Sequence, residues 1–347
     1  MAIKYLSKDR VDLNSSLNRW DIKKLILDEN IQTVQFCTPI KLKSLILLND
    51  IFLSVRPDVE FRVYGFYQDE CNLSFLKDMK NIRNLSVDSL IDATGLEYIT
   101  ELPDLKSLSV GIFNLDNFDF LNHIAKNVEK IFLGVTRSKK PKLDPLSRFI
   151  CLKELYLEGQ QKNIEVISHL QNLEDLTLRS ITLTDLSFLY PLKNLWSLDI
   201  KLGGTIKLSD IDKVQNLKYL ELWQIRGLSD ISFVSNLTHL QYLYLQSLPQ
   251  IKKLPRFNKL ERLRRIYLEN MKGLVDVSSL ENAPSLEEFV FTHAHNMHPE
   301  DFYPLFKNNN IKSAGVWFGS NRKNNKFESL LKEFNLEKYE YYNFEFN

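Results

Sequence analysis

The chain has 347 residues, 44% of them hydrophobic and 26% charged, the composition of a folded globular protein. Its 45 Lys and Arg nearly balance 44 Asp and Glu, so no bulk charge draws it to nucleic acid or to a membrane surface. Glycine and proline, 11 each, exclude collagen-like and linker-rich character, and three scattered cysteines without a CxxC pair exclude a disulfide framework.

The segment Met1 to Arg10 lacks the apolar stretch of a secretory signal. The most apolar run, Leu45 to Val55, is broken by Asn49 and Asp50 and falls short of the roughly 20 residues that span a bilayer. The expectation is a cytoplasmic protein without membrane contact. Residues 1–59 read as an N-terminal helical cap with a first, atypically long unit. Asn14-Ser15-Ser16 opens a helix over Leu17 to Asn30 that buries Leu17, Trp20, Ile22, Leu25, Ile26 and Leu27. A short strand follows at Ile31 to Phe36, then a longer helix over Ile40 to Val55.

From residue 60 to 335 one pattern, L-x-x-L-x-L, recurs. Clear copies start at Leu152, Leu173, Leu195, Leu217, Leu240 and Leu263, and softer ones at Ile82, Leu105, Val128, Leu286 and Ile311. Their spacings are 23, 23, 24, 21, 22, 22, 23, 23, 23 and 25 residues. A second block, Asn72 to Asn81, matches Asp185 to Asn194 at an offset of 113 and places another strand start at Glu60. The last two apolar residues of each copy are two apart, so they share one side of a short strand. One coil cannot bury its own leucines, whereas stacked coils form a continuous core. Beyond the array, Lys326 to Phe334 reads as a helix. Residues 336–347 read as an aromatic cap strand, in which Tyr339 to Phe346 seals the last coil. The count is about fourteen strands in one continuous domain.

These residues resemble the leucine-rich-repeat family, most closely its short, internalin-like branch. The resemblance implies an α/β solenoid with a parallel sheet on one face and short helices or 3₁₀ turns on the other. The family's turn asparagine is missing: the matching positions hold Gln160, Ile181, Gly203, Ile225, Leu248 and Met271. Apolar packing is expected to close these turns, with distortion and less regular curvature as the consequence.

No phosphate-binding loop, dinucleotide fingerprint, nucleophile elbow, HExxH or paired CxxC is present, so neither catalysis nor a cofactor is expected. The repeat register instead lays out columns of outward-facing strand residues. Neighbouring strands about 4.8 Å apart would bring Tyr219, Trp223, Tyr242, Tyr244 and Tyr267 into one patch, and aromatics of this kind dominate interface hot spots. With Tyr156, Arg179, Asp199, Glu221, Arg265 and Glu269 they form the candidate partner-binding set. The alternative is that tyrosines simply favour strands and cover neighbouring backbone. The run Lys252 to Arg265, with Lys252, Lys253, Arg256, Lys259, Arg262, Arg264 and Arg265, could form a basic outer stripe for phosphates, against which the neutral chain argues. His293, His295 and His298 are weak candidate metal ligands beside Glu300 and Asp301. The reading is a monomeric, non-catalytic module for a protein or peptide partner. A nucleic-acid-associated adaptor and an immunity-type inhibitor are the alternatives.

Overall fold

The structure is a computed structural model that describes residues 2–204 and 208–347. The chain divides into two compact units, Met1–Leu173 and Glu174–Asn347. In the first unit the strands are β1 (Ile3–Tyr5), β2 (Arg10–Leu13), β3 (Thr33–Phe36), β4 (Glu60–Tyr64), β5 (Asn84–Leu90), β6 (Ser107–Ile112), β7 (Lys130–Leu133) and β8 (Glu154–Glu158). In the second they are β9 (Asp175–Arg179), β10 (Ser197–Lys201), β11 (Tyr219–Trp223), β12 (Tyr242–Gln246), β13 (Arg265–Glu269), β14 (Glu288–Thr292), β15 (Ser313–Val316) and β16 (Glu337–Lys338). Within each unit consecutive strands pair in parallel, except the antiparallel hairpin β1–β2.

The strands form where the repeat predicts them because their alternate leucines have nowhere else to go. Leu198 and Ile200, Leu220 and Leu222, Leu243 and Leu245, and Ile266 and Leu268 are all buried. Each such side chain contributes about 1.5–3 kcal/mol when it leaves water. The return path runs through short 3₁₀ turns such as Ser187–Leu189, Ser232–Asn236 and Ser278–Asn282. An acidic side chain opens each: Asp185, Asp230 and Asp276 accept the amides of Ser187, Ser232 and Ser278 at 3.0, 2.8 and 2.9 Å.

The missing asparagine is replaced by backbone. The residue after each of β9 to β13 enters the left-handed region, with φ of 55° at Ser180, 57° at Leu202, 48° at Gln224, 52° at Ser247 and 51° at Asn270. Their amides donate to the carbonyls of Lys201, Trp223, Gln246, Glu269 and Thr292 on the next coil at 2.8–3.0 Å. The following positions then point inward: Ile181, Ile225, Leu248 and Met271 are buried. Apolar side chains close these turns as expected, and the five turns share one backbone conformation instead of the expected distortion. Gln160 keeps a side-chain tie, donating to the Gly134 carbonyl at 2.9 Å.

The ends depart from the sequence reading in detail. The first helix, α1, is only Arg19–Ile26, because Asn18 caps it by accepting the amides of Trp20 and Asp21 at 2.9 and 3.2 Å. Trp20 and Leu27, expected inside, are 77% and 83% exposed. Helix α2 (Leu42–Leu48) continues as a wider π turn over Asn49–Leu53. The β1–β2 hairpin was not foreseen, since three- and four-residue strands carry too little alternation to register. Near the C-terminus lie a single turn, α3 (Tyr303–Phe306), and α4 (Asn321–Glu333). Helix α4 starts five residues before the expected Lys326 because the Ser320 hydroxyl caps it. Among the described residues, no helix is long and apolar enough to cross a membrane.

Candidate functional site

The strand register of the second unit fixes which side chains can meet. Tyr219 pairs with Tyr242 and Tyr242 with Arg265; Asp199 pairs with Glu221, Glu221 with Tyr244 and Tyr244 with Tyr267; Arg179 pairs with Lys201, and Lys201 with Trp223. Ten of the eleven candidate partner-binding residues thus share this sheet face. Tyr156 lies in the first unit, where it stacks on Phe132 with ring centroids 5.4 Å apart and planes 17° from parallel. The pair borders a depression of about 410 Å³ that also takes in Gly111 and Gly134.

Towards the strand exits the face is open. Trp223, Tyr244, Tyr267 and Glu269 are half-buried. The Tyr244 and Tyr267 rings meet edge to face at 5.0 Å, and the Tyr244 hydroxyl donates to Glu269 at 2.8 Å. Arg179 lies over the Trp223 ring at 5.2 Å. These contacts hold the aromatics in place before anything binds, which lowers the entropy an interface must overcome.

At the centre sits an ionic cluster. The Lys201 ammonium is 2.9 Å from Asp199 and 3.0 Å from Glu221, and the Tyr219 hydroxyl donates to Glu221 at 3.0 Å. Burial, and then the Glu221 carboxylate, push the Asp199 carboxyl up to about 7, with Lys201 pulling the other way. Burial also drives the Tyr219 hydroxyl well above its usual range. A carboxyl raised in the folded state stabilises the fold fully below its unfolded value of about 3.9, and that contribution is lost as pH rises through about 7. Asp199→Asn cannot ionise and should lose the dependence. Its stability relative to the unsubstituted chain should improve by about 1–2 kcal/mol between pH 4 and pH 8, a figure reduced for partial solvent screening. Urea unfolding at the two pH values reads this directly; an identical difference at both would refute it.

Towards the strand entries the face is covered by the chain's own end. The expected cap strand shrinks to Glu337–Lys338, which pairs with Ser313 and Ala314 of β15. From Tyr339 onward the chain turns back across the sheet. Arg265 is 2% exposed, and its guanidinium lies 4.5–5.5 Å from the rings of Tyr242, Tyr339, Tyr342 and Phe344. It is bonded to Glu288, which also accepts the Tyr342 hydroxyl. Phe344 meets Tyr242 at 5.2 Å, and Phe346 meets Trp196 at 5.1 Å and Tyr219 at 6.1 Å. The expectation that Tyr219, Tyr242 and Arg265 face solvent as part of one open patch is therefore corrected. Glu221, of the candidate set, is buried too, as are Glu288 and Val290 of β14.

A further column went unread in the sequence. Trp196, Lys218, Gln241 and Arg264 each stand one residue before a strand, and all four contact the returning tail. Their signal was the second position of L-x-x-L-x-L, which carries no alternation of its own. Arg264 and Arg265 consequently leave the supposed outer stripe, of which Lys252, Lys253, Arg256, Lys259 and Arg262 stay exposed. The histidine turn does not assemble as a ligand set. His295 Nδ1 is tied to the Phe318 carbonyl at 3.0 Å, and the His298 amide donates to Asp301 at 2.7 Å. Among the described residues no group of three His, Cys, Asp or Glu is placed to hold a metal ion.

No family model and no curated protein matches the chain. Solved structures do. The TLR13–ssRNA13 complex aligns with a TM-score of 0.54 and 18% identity, over 89% of this chain and 50% of that one, so this chain spans about half its length. An internalin C2 of Listeria monocytogenes is 23% identical over 58% of this chain and 85% of its own, with a TM-score of 0.41. A leucine-rich-repeat protein of Leptospira interrogans is 17% identical over 91% of both chains, with a TM-score of 0.47.

Proposed function

We propose, from the premise that the chain is a leucine-rich-repeat protein, that it is a non-catalytic module holding a protein or peptide partner against the sheet face of its second unit. The observation that carries this reading is the pre-set aromatic surface at the strand exits: Trp223 under Arg179, and Tyr244 edge-on to Tyr267 and bonded to Glu269. A half-exposed tryptophan beneath an arginine and a tyrosine bonded to a carboxylate, with a second tyrosine edge-on to it, are what interface hot spots are made of. The free thiols of Cys37, Cys71 and Cys151 favour a reducing, cytoplasmic setting.

The test begins with affinity capture from the native source, followed by titration of the identified partner with the purified chain. Replacing Trp223 and Tyr244 together by alanine is expected to weaken that partner by at least about 2 kcal/mol, roughly 30-fold. Equal affinity in a variant that unfolds like the unsubstituted chain would falsify the reading.

A further inference from the structure

The returning tail has the geometry of a bound peptide. Phe344 and Phe346 are half-buried against the sheet, while Asn343, Glu345 and Asn347 between and beyond them are exposed. This is the two-residue alternation of an extended segment lying on a surface. The main chain is gripped as well. The Tyr342 carbonyl accepts from Arg265 Nη1 at 3.3 Å and the Glu345 carbonyl from Arg264. Asn347 is held through both of its main-chain groups: its main-chain oxygen accepts from Lys218 Nζ at 2.7 Å and Gln241 Nε2 at 3.0 Å, and its amide donates to Gln241 Oε1 at 3.0 Å. Gln241 is buried and also accepts from Arg264 Nη2 at 3.1 Å, so the gripping groups are themselves oriented.

Bonds to the main chain recognise any extended backbone, whereas the places for Phe344 and Phe346 select aromatics two residues apart. We infer that the channel across the strand entries of β10 to β13 is a recognition site for an extended peptide of a partner protein with aromatic residues at alternate positions, and that the tail is its resident competitor. This rests on reading the sheet face as a recognition surface and adds the chemistry of the peptide it takes. Tethering gives the tail an effective concentration of order mM, so a partner segment enters once it outbids that figure or once the tail is displaced.

The experiment uses the full chain carrying Phe344→Ser and Phe346→Ser, which empties the two aromatic places without shortening the protein. The probe is a synthetic peptide with the sequence of residues 339–347, titrated by calorimetry. The double variant is expected to bind it at least tenfold more tightly than the unsubstituted chain does. A peptide of the same composition with its two phenylalanines made adjacent should bind the variant at least tenfold more weakly. Failure of a folded variant to bind up to mM peptide, or equal binding of the rearranged peptide, overturns the inference. Should the double variant not fold, Phe346→Ser alone is put through the same titrations and judged by the same two outcomes. Adding Trp223→Ala and Tyr244→Ala should leave peptide affinity unchanged. Failure at the strand exits is thereby read separately from failure at the strand entries.

Discussion

Replacing Arg265 by alanine is expected to cost the fold about 3–5 kcal/mol, the range for breaking a buried ion pair by removing one partner. The guanidinium is 2% exposed and bonded to Glu288, which is itself buried. Without Arg265 the carboxylate keeps, among the described residues, the Tyr342 hydroxyl, in a setting that water reaches poorly. Four aromatic rings also lose the cation they surround, each contact worth roughly 0.5–2 kcal/mol. The cost is a property of the stranded charge rather than of the pair's net value. Arg265→Met combined with Glu288→Leu should therefore recover most of the loss. Guanidinium unfolding of the three chains checks this: a loss below about 1 kcal/mol in the single variant would mean that the pair is solvated in a way its burial does not suggest.

Phe302→Ala is expected to be comparably severe, about 3–5 kcal/mol. Phe302 is fully buried where the last coils meet helix α4. Its ring centroid lies 5.9 Å from Phe289, 6.4 Å from Phe291, 5.9 Å from Phe318 and 5.7 Å from Phe327. The end of a repeat array must hide leucines that no further coil covers, and here one ring connects strand β14, the loop after β15 and the capping helix. Truncation leaves a cavity that several rigid rings cannot collapse to fill. Phe302→Leu, which retains most of the volume, should recover more than half of the loss. Thermal and urea unfolding report both values. A loss under about 1.5 kcal/mol for the alanine variant would show that α4 repacks, and that the cap is looser than its ring contacts imply.

The sequence alone set where the repeating strands fall and which of their residues align. Apolar residues two apart, recurring every 21–25 positions, admit only short strands stacked in parallel, and that spacing alone aligned Asp199 with Glu221 and Tyr244 with Tyr267. It also showed that the turn asparagine was missing, because absence from a regular column is as legible as presence. The substitute lay in left-handed φ angles at residues as different as Leu202 and Asn270, which no composition rule singles out. The ends were read less well, because a cap is specified once and offers no second copy against which to check its register.

The state of the sheet face rests on contacts between segments far apart in the chain. Lys218 and Asn347 are 129 residues apart, and Arg265 and Tyr342 are 77 apart. Alternation within the tail fixes that Phe344 and Phe346 share a side, but nothing local says which surface that side will meet. The path of the backbone after β16 settles it: the chain turns back over the strand entries instead of ending against the last coil. Periodicity is a short-range property of a sequence, whereas the covering of Tyr219, Tyr242 and Arg265 by a distant segment is a property of where the chain is led.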